Sequence, residues 1–192
     1  PYADNKDGFN FDPELVINRK TKRFYIQPTL SYTYVDAYFN IVNLEFHDQF
    51  ASRFVFNLNS EVFVEDKPTG TDWLSFTDVN LGISLVAIPK LLVDFLLGGK
   101  IKIDPPFFPL GFTTGCRVTI FPNKPLVLKA KWIGSYINRS LISQFQVSIG
   151  ILINRFEIAG GYHADHIWDV TKIGEEDSLY FRGPQLSIGL WF

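Results

Sequence analysis

The chain contains no methionine, and its one cysteine is Cys116. A single thiol excludes an internal disulfide framework. No uninterrupted run of about eighteen apolar residues exists, so the sequence encodes no transmembrane helix. The longest apolar stretches, 84–89 and 91–98, are far too short. Charge is also scarce. Charged residues make up 20% of the chain, with 18 Lys and Arg against 20 Asp and Glu. That balance leaves no basic footprint and argues against a nucleic-acid partner. The row opens on "PYADNKDGF" without an initiator, which carries the expectation of a mature chain whose secretion leader has been removed.

Helical periodicity is nearly missing too, and two-residue alternation takes its place. In residues 143–165, Phe145, Val147, Ile149, Ile151 and Ile153 alternate with Gln144, Gln146, Ser148 and Gly150. Asn154 and Arg155 then supply a two-residue hairpin turn. On the return, Phe156, Ile158, Gly160 and Tyr162 oppose Glu157, Ala159, Gly161 and His163. The same reading gives about ten strands, near 22–35, 38–47, 51–64, 74–88, 91–103, 111–121, 126–136, 143–153, 156–165 and 179–192. An eight-strand count with two long excursions is the alternative.

Tight links at 48–49, 89–90, 122–124 and 154–155 alternate with mostly longer ones at 65–73, 104–110, 137–142 and 165–178. Alternation of that kind is produced by an up-and-down antiparallel meander, with turns at one end and loops at the other. Residues 1–21 are polar without a clean period and are read as an N-terminal periplasmic arm. Residues 22–192 form one barrel domain. The fold class is all-β, a closed up-and-down antiparallel transmembrane β-barrel.

Alternation does not reveal which face meets the solvent, and a soluble lipid-binding β-barrel would show the same period with its faces exchanged. Two features favour an apolar exterior. The polar face carries small hydrogen-bonding residues such as Gln27, Ser31, Thr33, Asn57, Asn59, Thr113, Gln144 and Ser187, whereas a water-exposed sheet carries Lys and Glu freely. Aromatics on the apolar face gather toward strand ends. Tyr34, Phe112, Tyr136 and Tyr162 lie at the loop end, and Phe46, Phe121 and Phe156 at the turn end. Two such girdles around an aliphatic band are expected where rings sit at headgroup boundaries.

The chain finishes on "PQLSIGLWF", with Leu186, Ile188, Leu190 and Phe192 on one face. This last strand resembles the closing strand of bacterial outer-membrane β-barrel proteins. The resemblance implies residence in the bacterial outer membrane and recognition of the C-terminal aromatic strand by the barrel-assembly machinery. The implied partners are outer-membrane lipids and lipopolysaccharide, with an envelope protein reached through the N-terminal arm or the outer loops.

Inside such a barrel, Glu45, His47, Asp94, Arg117, Lys129, Lys131 and Glu157 fall in the periplasmic half. Glu61, Asp78, Lys100, Lys102, His163 and Asp165 fall in the outer half. Mixed signs read as an ion-paired network, because a selective pore more often shows a ring of one sign. The weak catalytic candidates are His163 and Asp165, two residues apart on one face near the outer rim, with Asp78 or Ser75 completing the set. His166 and Asp169 follow in the loop. A His–Asp pair is general-base chemistry, which a lipid- or peptide-hydrolysing outer-membrane enzyme would use. No spaced catalytic signature accompanies it, and a non-enzymatic structural, surface-contact or narrow-pore role is the favoured reading. No cofactor and no metal ligand set is expected; the acidic residues 175–177 read as solvated.

Overall fold

The computed structural model describes residues 25–50, 53–68, 70–88, 90–103, 108–169 and 178–192, without the side chain of Asp169. The arm expected at 1–21 and the acidic residues 175–177 lie outside the described residues. Ten strands are present: β1 (Tyr25–Tyr34), β2 (Phe39–Phe50), β3 (Phe54–Lys67), β4 (Gly70–Ile88), β5 (Leu91–Ile103), β6 (Leu110–Ile120), β7 (Leu126–Ile137), β8 (Ser140–Ile153), β9 (Phe156–Asp169) and β10 (Ser178–Leu190). Each pairs antiparallel with its neighbours in the chain, and β1 pairs with β10 to close the sheet. The count is ten, and the eight-strand alternative is set aside.

Turn chemistry explains where the strands reverse. Asn154 adopts φ 55° in the link between β8 and β9, a left-handed conformation that Asn tolerates better than most residues. Asn138 (φ 45°) and Arg139 (φ 67°) do the same between β7 and β8. The second of these turns departs from the sequence expectation of a long loop over 137–142. The link expected over 65–73 is also short, because β3 and β4 stay paired as far as Lys67 and Gly70. At the other end β2 runs through Phe50, which moves the turn expected at 48–49 beyond that residue.

The closing seam is shorter than the other ladders. Its register runs from Thr29 opposite Gly189 to Thr33 opposite Gln185. Pro28 has no N–H to give, and pairing resumes only past it. There Phe192 accepts a hydrogen bond from the Ile26 amide at 3.3 Å and donates one to the Ile26 carbonyl at 3.1 Å. Phe192 therefore belongs to the closure, as the terminal alternation requires. At the far end of the seam, any side chain in place of Gly183 would collide with the Tyr34 carbonyl.

Alternation now resolves into an inside and an outside. Polar and charged side chains outnumber apolar ones among the buried residues. The outer surface carries Leu30, Leu44, Val79, Leu81, Ile83, Leu97, Ile149, Ile158, Leu186 and Ile188, all more than a third exposed. Tyr34, Phe112, Tyr136 and Phe156 are exposed near strand ends, while Phe46 and Tyr162 are exposed further along β2 and β9. Phe121 is a correction. It is 6% exposed, because it follows directly on β6 in step with the inward-facing Arg117 and Thr119.

Phe121 belongs to one of two apolar stoppers that the alternation did not reveal. At the turn end, Tyr25, Leu92, Phe121, Val127 and Trp191 pack together inside the barrel. Tyr25 and Trp191 stack with ring centroids 5.4 Å apart. At the loop end, Ile41, Phe63, Phe76, Ile137 and Ile142 form a second cluster. Phe39 and Phe181 stack at 4.6 Å beside it. Both clusters occupy inward positions, so the polar interior is closed above and below.

Candidate functional site

The polar interior has two parts. The part nearer the turn end is built around two carboxylates. Glu45 on β2 accepts from Asn57 at 2.7 Å and Lys131 at 3.1 Å, and Arg117 reaches it at 3.4 Å. Glu157 on β9 accepts from Lys129 at 2.5 Å, Trp191 Nε1 at 2.8 Å and Gln27 at 3.0 Å. Gln27 accepts in turn from Arg117 at 2.8 Å, which joins the two carboxylates into one network. Lys129 also lies 5.3 Å from the centre of the Trp191 ring. Beside this network His47 Nε2 sits 3.4 Å from Asp94, and Asp94 accepts from Ser84 at 2.6 Å.

The part nearer the loop end is assembled from β2, β3, β4, β5, β8 and β9. Lys100 lies 3.1 Å from Asp78 and donates to Gln144 at 2.7 Å. Gln144 donates to Glu61, which also accepts from Asn43 at 2.9 Å and Asn59 at 3.2 Å. His163 Nε2 and Asp165 Oδ2 are 2.6 Å apart. One ligand-type atom from each of Glu61, His163 and Asp165 falls within 4.8 Å of the others. Asn59 links the two parts, since Lys131 also reaches its amide oxygen at 3.5 Å.

The interior positions expected from alternation are therefore occupied as expected. Glu45, His47, Glu61, Asp94, Lys100, Arg117, Lys131 and Glu157 are all buried, and Lys129 nearly so. Their mixed signs form pairs rather than a ring. The free space beside Glu45, Arg117, Lys129, Lys131 and Glu157 is about 20 Å³. That is room for about one water and too little for a hydrated ion.

His163 and Asp165 make the contact their spacing predicts, since residues two apart share a face of a strand. Their position differs from the expectation of a rim site. They are 2% and 0% exposed, and Ile41, Phe63, Phe76, Ile137 and Ile142 close the barrel at that end. A substrate in solution has no approach to them. Asp78 is engaged by Lys100 rather than by His163. His166 is also corrected: it belongs to β9 and faces away from the interior, with its ring against Trp168 at 3.6 Å and Tyr180 at 5.3 Å. Asp169 is the last residue of β9 rather than part of the loop.

Sequence reasoning missed Trp191, Tyr25, Gln27 and Gln144 as partners of the buried charges. Their signal was present, because each stands in step with a polar-face residue on its own strand. Outside the interior, at the tip of the hairpin between β3 and β4, Lys67 lies 2.6 Å from Asp72 and 3.1 Å from Glu65. Hydrogen bonds to Asp72 and then Glu65 hold its ammonium pKa above the ordinary lysine value. An apolar pocket of about 230 Å³ near this tip is lined by Phe39, Phe63, Trp73, Phe76 and Phe181, with Glu65 and Asp72 among its walls. The chain matches no protein-family model and no curated protein.

Proposed function

We propose that this chain is an integral β-barrel of the bacterial outer membrane with a sealed interior. Its role is structural or surface-contact, not transport or hydrolysis. The observation that carries this reading is the inversion of faces: aliphatic side chains cover the outside of every strand while carboxylates, amides and cations fill the inside. Monomeric soluble proteins rarely expose contiguous apolar patches beyond a few hundred Å², and this belt is far larger. Hydrocarbon is the solvent that such a belt fits, and a closed sheet satisfies every backbone group within it. The aromatic rings at both strand ends and the Phe192 closure support the same environment. A soluble lipid carrier needs the opposite arrangement, with an apolar cavity and a wet exterior.

The two stoppers support a non-conducting role. Charge pairs cross the lumen, the space beside Glu45, Arg117 and Glu157 holds about one water, and the apolar clusters lie across both ends. The buried His163–Asp165 pair supports no hydrolysis of an external substrate.

The test is refolding. Urea-denatured chain diluted into phospholipid vesicles is expected to give a heat-modifiable band on a gel, and the same dilution into plain buffer none. A well-folded monomer in buffer would overturn the membrane reading. Inserted protein in a planar bilayer is expected to pass no current; reproducible unitary steps would overturn the sealed interior.

A further inference from the structure

The loop-end half of the interior is not balanced. Glu61, Asp78 and Asp165 are buried there with Lys100 as the buried permanent cation among them, and Lys102 is half-buried two residues further along the same face of β5. Lys131 pairs with Glu45 at 3.1 Å in the other half and reaches this one through Asn59 at 3.5 Å. His163 offsets at most one more charge. Among the buried polar atoms of this half without a hydrogen-bond partner are Asp78 Oδ1, His163 Nδ1 and Asp165 Oδ1, with Ser135 Oγ and Gln185 Nε2 on other strands. Both orphan atoms of the His163–Asp165 pair lie on side chains at least nine-tenths buried. An unpaired buried polar atom costs roughly 1–3 kcal/mol, and more when it is charged. A chamber with surplus carboxylate and unused lone pairs is arranged for a cation.

We propose that Glu61, His163 and Asp165 hold a divalent transition-metal ion, of the zinc class, inside the barrel. The three residues already converge to within 4.8 Å. Tetrahedral coordination at about 2.0–2.2 Å needs ligand atoms roughly 3.3 Å apart, so side-chain rotation closes the site without moving a strand. One imidazole with two carboxylates is a donor set that zinc, manganese and ferrous iron accept, whereas magnesium and calcium prefer oxygen alone. The supporting contacts are in place. Asn43, Asn59 and Gln144 donate to Glu61 and fix its carboxylate, which is how outer hydrogen bonds orient metal ligands. Lys100 is engaged by Asp78 and Gln144.

Such an ion has a structural consequence. β3 and β9 are not neighbours in the barrel, so a metal between Glu61 and the His163–Asp165 pair staples opposite walls together. Because the stopper at this end shuts the chamber, the ion enters as the barrel folds. The inference concerns the interior alone and does not depend on the solvent outside.

The experiment refolds the chain, in whichever medium folds it, with zinc chloride or with a chelator, then desalts it and counts metal by mass spectrometry. About one zinc per chain is expected, with a higher unfolding temperature than the chelated sample. His163→Ala and Asp165→Asn are each expected to weaken zinc binding at least tenfold in chelator competition. Asp94→Asn, in the other half of the interior, is expected to keep the stoichiometry. Cobalt substitution gives a visible absorption band that reports an imidazole–carboxylate environment in wild type, and its loss in Glu61→Gln serves if the stronger variants misfold. A folded wild-type barrel that retains no metal after desalting would overturn the proposal. So would unchanged affinity in both His163→Ala and Asp165→Asn, which marks the metal as bound elsewhere.

Discussion

The two halves of the interior are made from the same residue types but solve different problems. Glu45 and Glu157 each have at least one permanent cation and further neutral donors, and Asp94 beside them has His47 and Ser84. Around Glu61, Asp78 and Asp165, neutral amides do most of the donating, and a carboxylate oxygen of both Asp78 and Asp165 goes without a partner. Desolvating two ions costs several kcal/mol each, and attraction repays that only when geometry and additional hydrogen bonds are good. The Glu45–Glu157 network meets that condition, although beside it both His47 ring nitrogens and Asn57 Oδ1 lack a hydrogen-bond partner. The loop-end half does not, and this is why it invites an ion from outside while its counterpart does not. Burial alone therefore says little about what a polar cluster does; the ratio of donors to acceptors says more.

The comparison can be attacked directly. Glu45→Leu leaves Arg117 and Lys131 buried without their shared anion, and a loss of about 3–5 kcal/mol is expected, read from urea unfolding in vesicles. A loss below about 1 kcal/mol would mean that the turn-end network is not the stabilising half. Trp191→Phe keeps the ring over Lys129 but removes the donor to Glu157. A hydrogen bond to a charged group is worth about 1.5–3 kcal/mol, and the same measurement should show a loss of that size. Asp165→Asn, made in chelated protein, removes one surplus negative charge from the loop-end half. Its expected effect is the smallest, within about 1 kcal/mol of wild type, with the sign toward stability. A loss as large as that of Glu45→Leu would erase the distinction between the halves.

Much of the fold is legible in the residues because a sheet with one polar face writes its period into the chain. Ten segments alternate over lengths that suit strands, and the His163–Asp165 contact follows from their two-residue spacing. The Asn138–Arg139 turn was hidden by the apolar residues on both sides of it, although the same Ile-Asn-Arg triplet recurs at 153–155, where Asn154 also takes a positive φ in a tight turn. The stoppers were hidden for a different reason. Sorting residues by polarity sends Phe121 outward, while its position in step with Arg117 and Thr119 sends it inward. Near a strand end the barrel interior can be greasy, and there position outranks polarity. The Glu61–His163–Asp165 convergence was beyond reach, because alternation gives each residue a face but not a height. Which inward side chains meet across the lumen depends on the stagger of all ten strands, which a single strand does not record.

The divided seam has a further meaning for how the molecule comes apart. Pro28 splits the pairing of β1 with β10, leaving one short ladder and one isolated residue pair at Ile26 and Phe192. Every other neighbouring pair of strands shares a longer register. A cylinder sewn unevenly yields along its thinnest stitch, so thermal breathing and sideways opening are concentrated on that line. Amides along Thr29–Thr33 are then the first within the sheet to trade hydrogen for deuterium, while those of β3 and β4 hold theirs longest.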